Sequence, residues 1–138
     1  MVVSVRNEQR AAPVNVARIA RLARCAVRRL TIRAEGTLAI TFIDPRRMRA
    51  LNRRFLAHDR TTDVLSFRYE GELIVGDILV SPATARRYAS AHGLPYQEEL
   101  ARYVVHGLLH WVGYHDATAK DRRRIRRLED RLLSHCAT

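Results

Sequence analysis

Lysine is almost missing from this chain of 138 residues: Lys120 is the one lysine among 25 basic side chains, the rest being arginine. Acidic residues are also few, 14 in number, which leaves a formal net charge of +11. A lineage preference for arginine explains the choice of cation but not the surplus of charge. Arginine's planar fork of donors suits phosphate, so a polyanionic partner is favoured. Cysteine is scarce too. Cys25 and Cys136 are far apart and lack metal-ligand spacing, which excludes a disulfide-dense scaffold and a thiolate zinc finger, and both read as free thiols of a reducing compartment. Long apolar runs are absent: the stretch from Val104 to Val112 is broken by histidine and glycine, well short of the roughly 20 apolar residues a spanning helix needs. The first ten residues lack the apolar centre and cleavage site of a secretory signal, so a cytoplasmic location is the default expectation. No repeat, low-complexity tract or linker divides the sequence, and its length suits one domain spanning residues 1–138.

The patterns that are present alternate between strand and helix. Val2 to Val5 reads as a short edge strand. From Val14 the apolar residues Ile19, Leu22, Ala23, Ala26 and Val27 recur at helical spacing, with Arg18, Arg21, Arg24 and Arg28 on the other side. Leu30 to Ala34 and Thr37 to Ile43 flank Glu35-Gly36 and read as a β-hairpin. Asp44-Pro45 opens a helix with Met48, Leu51 and Phe55 on its core face, and residues 58–63 form a polar loop. Val64 to Phe67 and Leu73 to Val80 follow as strands, and further helices begin at Ser81-Pro82, Leu94-Pro95 and Thr118. The expected fold class is α+β, a small mixed β-sheet of about four strands packed with helices. Within the second of those strands, Gly76-Asp77 stands out because a carboxylate in an apolar strand is costly to bury unpaired. It marks either a bend with Asp77 capping a neighbour, or an acid supporting a functional site from behind.

The chemistry concentrates in residues 106–116. His106 and His110 are four apart on a helix, so their side chains share one face about 5–6 Å apart and can reach one metal ion. Gly113 can end that helix, and the returning chain brings His115 or Asp116 towards the same point. The pattern His-x3-His-x2-Gly-x2-Asp thus offers three ligands and leaves a position for water. Spacing favours Asp116 as the third ligand, with His115 as the alternative after a one-residue shift. The residue after His106 is Gly107, where HExxH peptidases carry their general base, so a peptidase is the least favoured reading.

These residues do not stand alone. Thr62-Asp63-Val64-Leu65-Ser66-Phe67, Gly76-Asp77-Ile78 and His106-Gly107-x-Leu109-His110-x-x-Gly113-Tyr114 together resemble the YbeY family of bacterial metal-dependent endoribonucleases, over Leu51 to Leu133. The resemblance implies a zincin-like α+β domain with its metal site on a central helix, one Zn2+ ion, and single-stranded RNA as substrate, notably precursor ribosomal RNA and the ribosome. The chain departs from the family at two places. It reads Gly113-Tyr114-His115-Asp116 where relatives end Gly-Tyr-Asp-His, and it has Leu56 where many carry an arginine tied to RNA cleavage. His58, Arg60 and Arg54 are candidates to serve instead.

The leading expectation is therefore zinc-assisted phosphodiester cleavage in ribosomal RNA maturation and ribosome quality control. His106, His110 and Asp116 hold the metal, Asp63, Ser66, Asp77 and His58 line the cleft or support it, and Arg54 and Arg60 hold RNA. The rival is a non-catalytic ribosome-assembly factor that binds rRNA and keeps a structural metal. A monomer without membrane contact is expected in either case.

Overall fold

A computed structural model describes residues 1–56 and 64–136, with the side chain of Leu56 left aside. The described elements run β1 (Val2–Glu8), α1 (Val16–Arg29), β2 (Thr37–Ile43), α2 (Pro45–Leu56), β3 (Val64–Arg68), β4 (Ile74–Val80), α3 (Pro82–His92), α4 (Tyr96–Val112) and α5 (Ala119–Cys136). The four described strands form one mixed sheet in the order β1-β2-β4-β3, with β1, β2 and β4 parallel and β3 antiparallel against β4. This is the α+β class that the sequence pattern indicates. No helix among the described residues is long and apolar enough to cross a membrane.

Strand alternation sends side chains to two different faces. Leu38, Ile40 and Phe42 of β2 and Ile78 and Val80 of β4 are fully buried in the main core with α1, α4 and α5. Their neighbours on the opposite face join a smaller cluster, in which Ile43, Met48 and Leu65 pack with Leu51, Phe67 and Leu79 beneath α2. Helix α4 is central: it packs against β3, β4, α1, α3 and α5.

The first loop differs from the hairpin reading. Leu30 caps α1, Thr31 adopts φ 55°, and the amides of Thr31 and Ile32 bond back to the carbonyls of Arg28 and Val27. That is a Schellman-type helix end, which places Ile32 against the core without any strand. Alternating Leu30, Ile32 and Ala34 imitate a strand because all three half-bury against that core. Strand β2 finds its partner in β1 instead, in parallel from Val2↔Thr37 to Glu8↔Ile43, so β1 is longer than the edge strand read from Val2 to Val5.

The cysteines also differ from expectation. Cys25 and Cys136, read as free thiols, are joined in a disulfide with their Cα atoms 5.7 Å apart, linking α1 to the last turn of α5. Sequence spacing carried no sign of this pairing, because the packing of α1 against α5 brings the two together across 111 residues.

Candidate metal centre

The two histidines are placed by how closely α4 lies on the sheet. A Cβ built on Gly107 would sit 2.6 Å from both Ile78 Cγ2 and Val64 Cγ1, so only glycine allows this approach. Ser66 Oγ donates to the Gly107 carbonyl at 2.7 Å, fastening β3 to the helix at that point. The position that carries a base in peptidases is here the contact surface with the sheet. His106 and His110, half-buried, project from the flank of α4 next to this contact, with ring centroids 4.5 Å apart.

Gly113 ends the helix at φ 126°, a backbone region that L side chains rarely adopt. Arg68 donates to the Trp111 carbonyl at 3.2 Å and lies 5.2 Å from the Trp111 ring centroid, satisfying one of the carbonyls the helix end leaves open. The chain then turns towards α5. Arg122 donates to the carbonyls of Asp116 and Ala117 at 3.3 and 3.5 Å, and the Thr118 hydroxyl accepts from the Asp121 amide at 3.0 Å. Asp116 is thereby held with Oδ2 3.2 Å from His110 Nε2 and 3.8 Å from His106 Nε2. One ligand atom from each of His106, His110 and Asp116 falls within 4.8 Å of the others, and among the described residues this is the group with donors placed for a metal ion. His115 is exposed and does not belong to it.

Behind the histidines lies a carboxylate that the sequence reading passed over. Glu129 of α5 is 4% exposed, and its Oε2 is 2.6 Å from His106 Nδ1. An ionised carboxylate can only accept, so Nδ1 carries the proton and Nε2 turns its lone pair towards Asp116. Arg102 completes the relay, donating to Glu129 Oε1 at 2.9 Å and to Asp130 Oδ1 at 2.8 Å. Burial alone would lower the Arg102 pKa. The hydrogen bonds to Asp130 and Glu129, with the charges of both, outweigh it and raise the guanidinium above its ordinary value. Two signals for this relay exist in the sequence: Glu129 interrupts the buried row Ile125, Leu132 and Cys136, and Arg102, His106 and His110 follow one another at four-residue steps. Beside the group opens a cavity of about 350 Å3, with Tyr88, Tyr103, Arg122 and Arg126 on its walls.

The remaining sequence candidates separate. Asp77 faces away from α4, being one residue from Ile78, and lies in a groove on the opposite side of the sheet with Arg6, Thr41 and Leu79. There it accepts from the Tyr69 hydroxyl at 3.5 Å, so the capping reading describes it better than support of the metal group. Gly76 beside it follows a register shift, where Thr37 pairs with Ile74 but Leu38 with Gly76, and any Cβ there would collide with the Trp111 indole and Leu38. Desolvation raises the Asp77 pKa, partly offset by that hydrogen bond; desolvation and then the Asp77 charge raise the Tyr69 pKa. Arg54 sits on α2, the helix over that same opposite face, with its guanidinium 5.2 Å from the Phe55 ring centroid. His58, Arg60 and Asp63 lie outside the described residues.

Compared with known families, the sequence matches the model described as "Endoribonuclease YbeY" across residues 4–137. The chain belongs to the endoribonuclease YbeY family. Among its relatives, the endoribonuclease YbeY of Flavobacterium psychrophilum is 38% identical over 102 residues, covering 73% of each chain. That of Chlorobium phaeovibrioides is 38% identical over 110 residues, 76% of this chain and 74% of the relative. The YbeY of Frankia casuarinae aligns over 97% of this chain at 29% identity. The fold is also that of the solution structure of TM1509 from Thermotoga maritima, with TM-score 0.64 and 21% identity over 97% of this chain and 91% of that one. The YbeY match spans every element that builds the metal group, from β3 under Gly107 to Glu129 on α5.

Proposed function

We propose that this protein is a zinc-dependent, single-strand-specific endoribonuclease that acts in precursor ribosomal RNA maturation and ribosome quality control, as a monomeric single domain of the cytoplasm. Membership of the endoribonuclease YbeY family gives the reaction class, endonucleolytic cleavage of RNA. The observation that carries the reading is the convergence of His106, His110 and Asp116, backed by buried Glu129, at the mouth of an arginine-lined cavity.

The donor set suits zinc. Two imidazole nitrogens and one carboxylate oxygen are ordinary zinc donors; the two imidazole–carboxylate separations, 3.2 and 3.8 Å, lie near the roughly 3.4 Å edge of a tetrahedron with ~2.1 Å bonds, and all three donor atoms fall within 4.8 Å of one another. When bound, zinc supplies a Lewis acid for the scissile phosphate and lowers the pKa of water. The protein's own groups do the rest. Glu129 fixes the His106 ring and its tautomer, and Arg102 holds that buried carboxylate in place by donating to its second oxygen. Arg126 on the cavity wall is placed to grip an RNA phosphate, while Arg122 is occupied in holding the Asp116 loop. Cleavage by hydrolysis or by transesterification through the 2′-hydroxyl is compatible with this arrangement. Arg54, on α2 over the other face of the sheet, would meet RNA only where the strand extends beyond the cavity.

The test is metal content and cleavage measured together on wild type and on a His106→Ala/His110→Ala variant. About one zinc per chain and cleavage of single-stranded RNA in the wild type, both lost in the variant, are expected. Undiminished cleavage by the variant would rule the mechanism out. Salt-dependent RNA binding without turnover, unchanged by a chelator that leaves the fold intact, would replace it with the assembly-factor reading.

A further inference from the structure

We infer that the solvent face of α5 is a docking surface for RNA backbone lying outside the catalytic cavity. This rests on the RNA-cleaving reading above and extends it to how the substrate is held. The buried row of this 18-residue helix is Ile125, Glu129, Leu132 and Cys136. On the opposite side, at steps of three and four, stand Lys120, Arg123, Arg127 and Arg131, all exposed, with Arg124 beside them. Among the described residues Lys120, Arg123, Arg127 and Arg131 have no carboxylate partner. The acids of α5 are turned elsewhere: Glu129 and Asp130 are engaged by Arg102, and Asp121 sits in the first turn.

Such a face works against the helix that bears it. Arg123–Arg127 and Arg127–Arg131 are like-charged pairs at i,i+4, which disfavour the helix. A polyanion laid along the face removes that repulsion and gains the release of its own counterions. The face is also continuous with the cleft. Arg122 and Arg126 of the same helix line the cavity beside His106 and Asp116, so cations pass around α5 from the metal group to its outer side. Arg124, on the other flank of this face, has its guanidinium 5.2 Å from the ring centroid of Tyr114, two residues before Asp116.

The experiment compares two triple variants that lose the same charge: Arg123→Gln/Arg127→Gln/Arg131→Gln on α5 and Arg21→Gln/Arg24→Gln/Arg28→Gln on α1. Binding of a long single-stranded RNA and of a short oligonucleotide sized to the cavity is read by fluorescence anisotropy before cleavage, across a salt series. The α5 triple is expected to bind the long RNA about tenfold more weakly and to flatten its salt dependence by a slope of roughly 2, while the short oligonucleotide is unaffected. The α1 triple should lose markedly less, and lysine at the three α5 positions should restore binding. Equal losses in both triples, or none in the α5 triple, overturn the docking surface but leave the RNA-cleaving reading intact. Wild-type protein that binds neither RNA overturns both.

Discussion

Glu129 Oε2 lies 2.6 Å from Nδ1 of His106, and its second oxygen accepts from Arg102 at 2.9 Å. The pair unites the last helix with the metal group, although 23 residues separate them. Glu129→Gln removes the charge that fixes the His106 tautomer and is expected to weaken metal affinity by about 10–100-fold. Competition against a chromophoric chelator measures it; affinity within twofold of wild type would show that the carboxylate is structural only.

Arg102→Met leaves Glu129 buried without its counterion. Breaking such a pair costs about 3–5 kcal/mol when fully buried; with Arg102 a fifth exposed, roughly 3 kcal/mol is expected from denaturant unfolding of metal-loaded protein. The loss should shrink in Arg102→Met/Glu129→Gln, which carries no unpaired charge.

Gly107→Ala forces a methyl group against Ile78 and Val64, both held by the sheet. Overpacking of this kind costs about 1–3 kcal/mol, and α4 must lift to relieve it. A lower melting temperature together with weaker metal binding is expected, since His106 moves with the helix. Gly107→Glu, which writes a peptidase motif into the chain, should unfold it rather than yield a peptidase.

The third ligand can be separated from its neighbour. Asp116→Asn should lower retained metal after gel filtration by at least about tenfold, whereas His115→Ala should retain it in full. The opposite result would require the loop to shift by one residue.

Reduction tests the link between Cys25 and Cys136. Disulfides typically stabilise by about 2–4 kcal/mol, and the loop-entropy account puts one closing a loop this long at about 5, so dithiothreitol and Cys136→Ser should lower the unfolding midpoint alike. Unchanged stability on reduction, with two titratable thiols already present beforehand, would restore the free-thiol reading.

For Asp77 the expectation concerns pH. Its carboxyl pKa is raised in the folded protein, mainly by desolvation, so the folded state binds a proton more readily than the unfolded one. The stability this contributes is complete below the ordinary value of 3.8 and is lost as pH rises through the higher folded value. Asp77→Asn should therefore stabilise the protein at neutral pH. The gain should vanish below about pH 4 when unfolding is followed across a pH series.

Local pattern carried the helices and most strands. Capping residues such as Asp44 and Ser81 accept the amide bonds their positions foretell, and α2 to α5 begin within two residues of the sequence reading. Pairing across distance was harder to read. The parallel partner of β2, the Cys25–Cys136 bond and the Glu129–His106 contact depend on packing that no local window contains. His106, His110 and Asp116 were legible because one turn of helix and one short loop bring them together. Which face of the sheet Asp77 occupies was not legible, because its neighbours along the strand are apolar on both sides.

Among the described residues, helix α4 and the segment after it hold the candidate metal group and its support: Arg102, His106, His110, Asp116 and Glu129 follow every strand of the described sheet. During synthesis the four described strands leave the ribosome before any of these groups. An ion held by His106, His110 and Asp116 would therefore join a sheet whose strands have already been made, and the support from Glu129 would come only once α5 has docked.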